Sequence, residues 1–287
     1  MTTRWLVLGV IVLAAGTAIV YGLRRKDHVQ AGSGALWGWI GEAQHEASRV
    51  PAAATRLTDE EEIRIGDCLA EWQTSRTQTL PADIEWSRTV DEIGERVAAH
   101  ARRRLPYRFH YVPQDHFFNA YALPGGHVVF GKGLALALDT DDELAAILGH
   151  EIAHVDRYHC AERAQLEAAS RSIPLGGLLT LPAALFKAGY TKDQELEADR
   201  YGTTLAVEAG YSPLGAVHAM QVLAKHQPRA DRRASNPIQE SGDAGLDSVQ
   251  EYFKSHPDPA LRLQAIEALI RSQGWLPSPE RTLAHGS

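Results

Sequence analysis

The chain has almost no cysteine. Two in 287 residues, Cys68 and Cys160, cannot make a disulfide framework, and no C-x-x-C spacing suggests a structural metal site. Free, mostly buried thiols are expected. An excess of positive charge is missing too: 29 basic against 36 acidic residues give a formal charge of −7, which argues against nucleic acid as the main partner. The one basic cluster, Arg102, Arg103 and Arg104 with Arg108, closes a helical pattern and reads as a solvated helix C-terminus that complements the dipole. No internal repeat is apparent, and beyond the N-terminus no apolar run is convincing as a membrane span. What these absences leave is one medium-sized globular domain with appendages, since 44% hydrophobic content is ample for a core.

The one long apolar run is WLVLGVIVLAAGTAIVYGL, Trp5 to Leu23. As a helix it extends about 28 Å, close to the roughly 30 Å hydrocarbon thickness of a bilayer. Arg24-Arg25-Lys26 supplies a stop-transfer flank, so a single-pass membrane anchor is expected, with a cleaved signal peptide as competitor because Gly16-Thr17-Ala18 offers small residues. The flanking charges leave its orientation open. The expected organisation is an anchor over 1–26, a linker over 27–57 with Trp37 and Trp39 at the membrane interface, a globular domain over 58–273 and a tail over 274–287.

From Thr58 the pattern turns globular. Thr58 and Glu61 form a capping box, and Ile63, Leu69 and Trp72 continue a helix. A second helical pattern runs from about Asp83 to Arg103, with Ile84, Val90, Ile93 and Val97 as its buried stripe. The period then changes to two in YRFHYV, FFNAYA and HVVF, punctuated by Pro113 and Gly125-Gly126, which predicts a small sheet between helices. Thr140 with Glu143, and Thr191 with Gln194, open two further helices, the second ending at Gly210. Residues 227–248, rich in Pro, Arg, Asn, Ser, Gly and Asp, predict a long exposed loop. Asp258 as N-cap with Pro259 at the first helical position opens the last helix. The fold class is α+β and mostly helical.

The helix that Thr140 opens carries LGHEIAHVDRYH. Positions i and i+4 lie about 40° apart in azimuth, so His150 and His154 can aim one nitrogen each at a common ion. Glu151 lies beside them, able to take a proton from a metal-held water without being a ligand. A catalytic zinc needs a third protein donor and an open position. QELEADRYG offers Glu195 for the metal and Asp199, on the same face, as an acceptor that fixes a histidine tautomer, whereas Glu197 points nearly opposite. One zinc ion per chain is expected. His159, Arg200, Tyr201 and Arg262 are candidates to stabilise an oxyanion.

Three blocks in order, NAYALPGGHVVFGKGLALALDTDDELAAILGHEIAHVDRYH, ELEADRYG and EYFKSHPDPALRLQAI, resemble the membrane-associated zinc metallopeptidases that include HtpX, BepA, Oma-type proteases and the CAAX prenyl protease. The likeness runs, with gaps, from about Thr58 to Ile270. It implies zinc on His150, His154 and Glu195, with Glu151 as general base. It also implies a gluzincin-type fold with a small mixed sheet, in which the Asn119-Ala120 segment forms an edge strand that aligns an extended peptide. Similarity to BepA-like members implies that His256 of the H-P block can reach the zinc and occupy the water's position; a histidine that merely caps or packs that turn is the alternative. Several relatives carry transmembrane helices between the zinc-ligand blocks. Here IPLGGLLTLPAALF, Ile173 to Phe186, with two prolines and short for a span, fits a packed hairpin or lid over the cleft best, ahead of a membrane-dipping segment and then a span. The expected function is zinc-dependent endoproteolysis of membrane-associated or misfolded polypeptides, in protein quality control, at a membrane reached through the N-terminal helix. A proteolytically latent, zinc-binding chaperone-like or scaffold protein is the alternative.

Overall fold

The computed structural model describes residues 57–74, 83–170, 189–227, 244–256, 258–279 and 281–283. The expected anchor, the linker through residue 56 and the 173–186 segment lie outside the described residues. Among the described residues no helix is long and apolar enough to cross a membrane.

The elements in chain order are α1 (Asp59–Thr74), α2 (Asp83–Ala98), β1 (Arg108–Val112), β2 (Ala120–Leu123), a 3-10 turn (Pro124–Gly126), β3 (His127–Gly131), α3 (Lys132–Ala135), α4 (Asp141–Asp156), α5 (His159–Ser170), α6 (Lys192–Glu208), α7 (Pro213–His226), α8 (Ala244–Ser255) and α9 (Pro259–Gln273). The architecture is mostly helical with one small mixed sheet in the order β1-β3-β2. β1 runs parallel to β3 and β2 antiparallel to it. β2 is therefore an edge strand, although it begins at Ala120 and not within FFN.

α4 is the central element. Every residue from Asp142 to Asp156 is buried, as expected of a helix surrounded by partners. α6, α7, α2 and β2 pack around it. The closest approach is between α4 and α6, where glycine meets glycine. A Cβ on Gly202 would lie 2.6 Å from the backbone of Gly149 and His150, and one on Gly149 would lie 2.6 Å from the Gly202 carbonyl oxygen. Only two residues without side chains let the helices touch backbone to backbone there, and His150 follows that contact directly.

Local signals set the helix starts. The boxes of Thr140 with Glu143 and Thr191 with Gln194 are both closed. Thr58 and Glu61 exchange the same pair of bonds, at 2.9 and 3.2 Å. Asp258 caps α9 through the Leu261 amide, with Pro259 first in the helix. Neither cysteine is in a disulfide; Cys160 is buried and Cys68 partly so.

Four expectations are corrected. Ile84 is 60% exposed, and Trp86 joins Val90, Ile93 and Val97 in the core. These four fall on one helical face, and Ile84 lies about 160° from it. α2 stops at Ala98, so the arginines do not close a helix. Arg103 is buried: it pairs with Glu62 at 2.9 Å and with Asp59, and donates to the Val155 carbonyl at 2.9 Å, tying α1 to the last turn of α4. A guanidinium with this many partners can be buried without an orphaned charge. Finally, α8 already begins at Ala244, inside the stretch expected to be loop.

The C-terminal residues return to the domain. Thr282 forms a β-bridge with Thr140, the Leu283 amide donates to the Asp139 carbonyl at 3.0 Å, and Leu283 is buried. The start of α4 is thus held from both sides.

Candidate metal centre

His150, Glu151 and His154 lie on α4, Glu195 on the first turns of α6, and His256 just beyond α8. The structure brings His150, His154, Glu195 and His256 together, one donor atom from each lying within 4.8 Å of the others, all four buried. His150 Nε2 and His154 Nε2 are 3.0 Å apart. His154 Nε2 lies 3.3 Å from Glu195 Oε1, and His256 Nδ1 lies 3.1 Å from the same oxygen and 3.3 Å from His150 Nε2. Glu151 is fully buried, and neither of its carboxylate oxygens has a hydrogen-bond partner.

Each histidine of the helix is held from behind at its other nitrogen. Asp199 Oδ1 is 2.9 Å from His150 Nδ1, so the Asp199 carboxylate accepts the Nδ1 proton and leaves a lone pair on Nε2. Arg262 fixes that carboxylate with two bonds, at 2.8 and 2.7 Å, and reaches Glu195 Oε2 at 3.0 Å. Behind His154 stands His159, Nδ1 to Nδ1 at 3.0 Å, and behind His159 stands Glu197 at 3.3 Å. Tyr190 stacks on the His154 ring at 3.6 Å between centroids.

This arrangement fits a dication on two grounds. With both Nδ1 atoms turned toward their partners, the two Nε2 atoms lie 3.0 Å apart and point to one spot at which Glu195 Oε1 and His256 Nδ1 also converge, as the donors of one ion do. Charge points the same way. Glu151, Glu195 and Asp199 are buried carboxylates, and Arg262 and His256 stand among them; burial lowers the pKa of His256, but Glu195 and Glu151 outweigh it and raise it. Three acids against these two bases still favour a cation at the site. Burial pushes the Glu195 carboxyl up, yet His256 and Arg262 outweigh it and hold it well below the ordinary range. Burial holds His154 well below its usual value, and it is therefore neutral, as a ligand must be. Two imidazoles and a carboxylate are a zinc donor set.

The oxyanion candidates separate. Arg262 is at the centre but committed to Asp199 and Glu195. His159 lies behind His154. The Tyr201 hydroxyl donates to Asp156 at 2.6 Å, and Arg200 is exposed on a surface cleft of about 380 Å³. Asn119 is buried just before β2, and its Oδ1 has no partner; Ala120 opens the strand. Glu197 does point away from Glu195, but onto His159 and Arg157 rather than into solvent alone. No spacing in the sequence signals that contact, nor that of Tyr190.

A helix bearing H-E-x-x-H, with a carboxylate donor delivered by a second helix, defines a single-metal centre of the His2Glu type. The sequence model of Peptidase family M48 matches residues 86–270, and the chain belongs to that family. It is 28% identical to the beta-barrel assembly-enhancing protease of Yersinia pestis, over 79% of this chain and 47% of that protein. It is 31% identical to the putative beta-barrel assembly-enhancing protease of Vibrio cholerae, over 59% of this chain and 40% of that protein. The chain thus spans less than half the length of these relatives. With metalloprotease LoiP of Escherichia coli the identity is 23%, over 77% of this chain and 85% of that one.

Proposed function

We propose that the chain is a zinc-dependent metalloendopeptidase in which His150, His154 and Glu195 hold the metal and Glu151 is the general base. The observation that carries this reading is Glu151: a carboxylate with no exposed surface and no hydrogen bond to either oxygen, facing His256 Nε2 at 3.7 Å beside four converging donors. A buried carboxylate without a hydrogen bond is costly, and such groups are kept where they have chemistry to perform. A bound zinc supplies a Lewis acid for the scissile carbonyl and lowers the pKa of its water toward about 7. Glu151 takes a proton from the attacking water and returns it to the leaving amine nitrogen. Asp199, clamped by Arg262, keeps His150 in the ligating tautomer.

Substrate is an extended polypeptide added to the free side of β2 at Asn119 and Ala120. The Asn119 carbonyl accepts from the Gly131 amide at 2.9 Å, so by strand alternation the amide and carbonyl of Ala120 face away from β3. Further along the strand Arg163 lies 3.5 Å from the Ala122 carbonyl, which leaves the Asn119 end for the peptide. Two relatives are named for enhancing beta-barrel assembly, and polypeptides at that stage of assembly are the substrate class we favour. We place a single-pass anchor at 1–26, a linker at 27–57 and the catalytic domain at 58–273, with Thr282 and Leu283 of the segment that follows docked back onto it.

His256 supplies a fourth protein donor, and a catalytic zinc needs one exchangeable position. The resting enzyme is accordingly latent, and activity requires His256 to withdraw. The experiment that tests the function is Glu151→Gln with zinc analysis and digestion of an unfolded protein. Zinc content should match wild type while hydrolysis falls by roughly 10²- to 10⁴-fold; digestion at the wild-type rate would overturn the mechanism.

A further inference from the structure

Beyond the ligands lies a second line of groups, running from buried to half-buried, that the proposed reaction does not use. His159, the first residue of α5, is fully buried. Its Nδ1 is 3.0 Å from His154 Nδ1, and its Nε2 is 3.3 Å from Glu197 Oε2. Arg157 donates from Nε to Glu197 Oε1 at 2.6 Å and bonds the same oxygen through Nη2. Glu197 lines the surface cleft with Arg157, Arg102 and Arg200. A continuous chain therefore runs from the cleft through Glu197 and His159 to His154.

Hydrogen-bond logic admits one direction for this chain. Glu197 takes two bonds from the Arg157 guanidinium on Oε1, and a carboxylate paired in this way presents Oε2 to His159 as an acceptor. The His159 proton therefore sits on Nε2, and its Nδ1 is an acceptor. The group facing that acceptor must be a donor, so His154 carries its proton on Nδ1. Its Nε2 lone pair is then the one aimed at His150 Nε2 and Glu195 Oε1. The reverse sense sets two acceptors against each other between His159 and Glu197. It also places the His154 proton on the nitrogen that faces the other donors.

We propose that His159 and Glu197 are positioning residues that fix the ligating tautomer of His154 by relay. This rests on His154 being a metal ligand. The two histidines of the helix are thus secured by one device in two lengths. Each is backed by a carboxylate locked to an arginine: His150 by Asp199 with Arg262 directly, His154 by Glu197 with Arg157 through an interposed imidazole. A neutral imidazole is a weaker acceptor than a carboxylate, so the relay keeps His154 less electron-rich than His150 while giving it the same orientation.

The test uses the full chain and two readouts. Nitrogen-15 histidine spectra of the metal-free protein report tautomers directly, and wild type should show His159 protonated on Nε2 and His154 on Nδ1. Zinc release to a chromogenic chelator should be about 10- to 100-fold faster in His159→Leu, the range typical of losing such a partner. His159→Gln should restore most of the difference, because its amide can accept from His154 and donate to Glu197. Glu197→Gln, which leaves His159 in place, should shift the His159 tautomer population and fall between wild type and His159→Leu in release rate. A wild-type His159 protonated on Nδ1 overturns the relay, as does zinc release within twofold of wild type in both His159→Leu and Glu197→Gln. Loss of zinc in His154→Ala alongside such results leaves the peptidase reading standing, whereas zinc retained in His154→Ala overturns both.

Discussion

Among the described residues one histidine pair lies half-buried on the sheet and another lies buried on α4, and only the second belongs to a metal-ligand cluster. His110 on β1 and His127 on β3 stack with centroids 5.1 Å apart and planes at 11°, with His110 Nε2 2.8 Å from His127 Nδ1. His127 Nε2 lies 3.2 Å from Asp67 Oδ1 on α1. Here Asp67 accepts from His127 Nε2, which leaves His127 Nδ1 to accept from His110 Nε2. Every facing pair is one donor and one acceptor, and nothing further is needed. On α4 the partners stand behind the rings, at both Nδ1 atoms, so the two Nε2 atoms are left pointing to one spot. The number of histidines is equal. What differs is which nitrogen each partner occupies, and that decides whether an ion is wanted.

Substitution at each pair breaks the comparison most sharply. His154→Ala should lose retained zinc and cut peptide hydrolysis by at least about 10³-fold, because it removes one half of the i, i+4 pair that a single helix aims at one point and leaves donors from three separate segments. His127→Ala should keep one zinc per chain. Metal analysis of the two purified variants checks both, and equal zinc content would remove the distinction between the pairs.

The next effect concerns the donor that closes the site. His256→Ala should retain zinc and raise basal digestion of an unfolded substrate several-fold, to the point of self-cleavage, since an exchangeable position is opened. Unchanged or lower activity in a folded, zinc-loaded variant would return His256 to a packing role at the α8–α9 turn.

A smaller effect is expected where the helices cross. Gly202→Ala places a methyl 2.6 Å from the Gly149 and His150 backbone, and overpacking of this kind costs roughly 1–3 kcal/mol. The melting temperature should drop, and zinc affinity should weaken with it because His150 and Glu195 are moved apart. A melting temperature equal to wild type would show that the crossing can yield.

The smallest effect is on the strand pair. Burial, with His127 and Arg108 nearby, holds His110 down to about 4. The unfolded chain, with an ordinary value near 6.5, therefore binds more protons between about pH 6.5 and 4. The contribution of neutral His110 is fully present above about pH 6.5 and is lost as pH falls through that window. His110→Gln should flatten the dependence of the melting temperature on pH there while leaving zinc content alone. An identical pH profile in wild type and variant would show that this pair is not titrating with folding.

The sequence by itself determined what depends on near neighbours along the chain. The starts of α1, α4 and α6 were legible because a capping box joins residues three apart, and that of α9 because Asp258 caps the Leu261 amide with Pro259 between them. The pairs His150 with His154 and Glu195 with Asp199 were legible because a helix places i and i+4 on one face. The period-two stretches located the sheet for the same reason. The tertiary structure decided everything that depends on distant segments meeting. Arg103 is buried because Glu62 lies 41 residues away in sequence and in hydrogen-bond contact in space. Glu197 was read as facing away because helical geometry reports where a side chain is not, and only the packing of α5 against α6 puts His159 in its path. His256 reaches His150 across 106 residues and Arg262 across 112, and the Gly149–Gly202 contact that closes α4 on α6 carries no local signal at all. Periodicity records the face a residue occupies; which atoms meet that face is set by the packing of the whole domain.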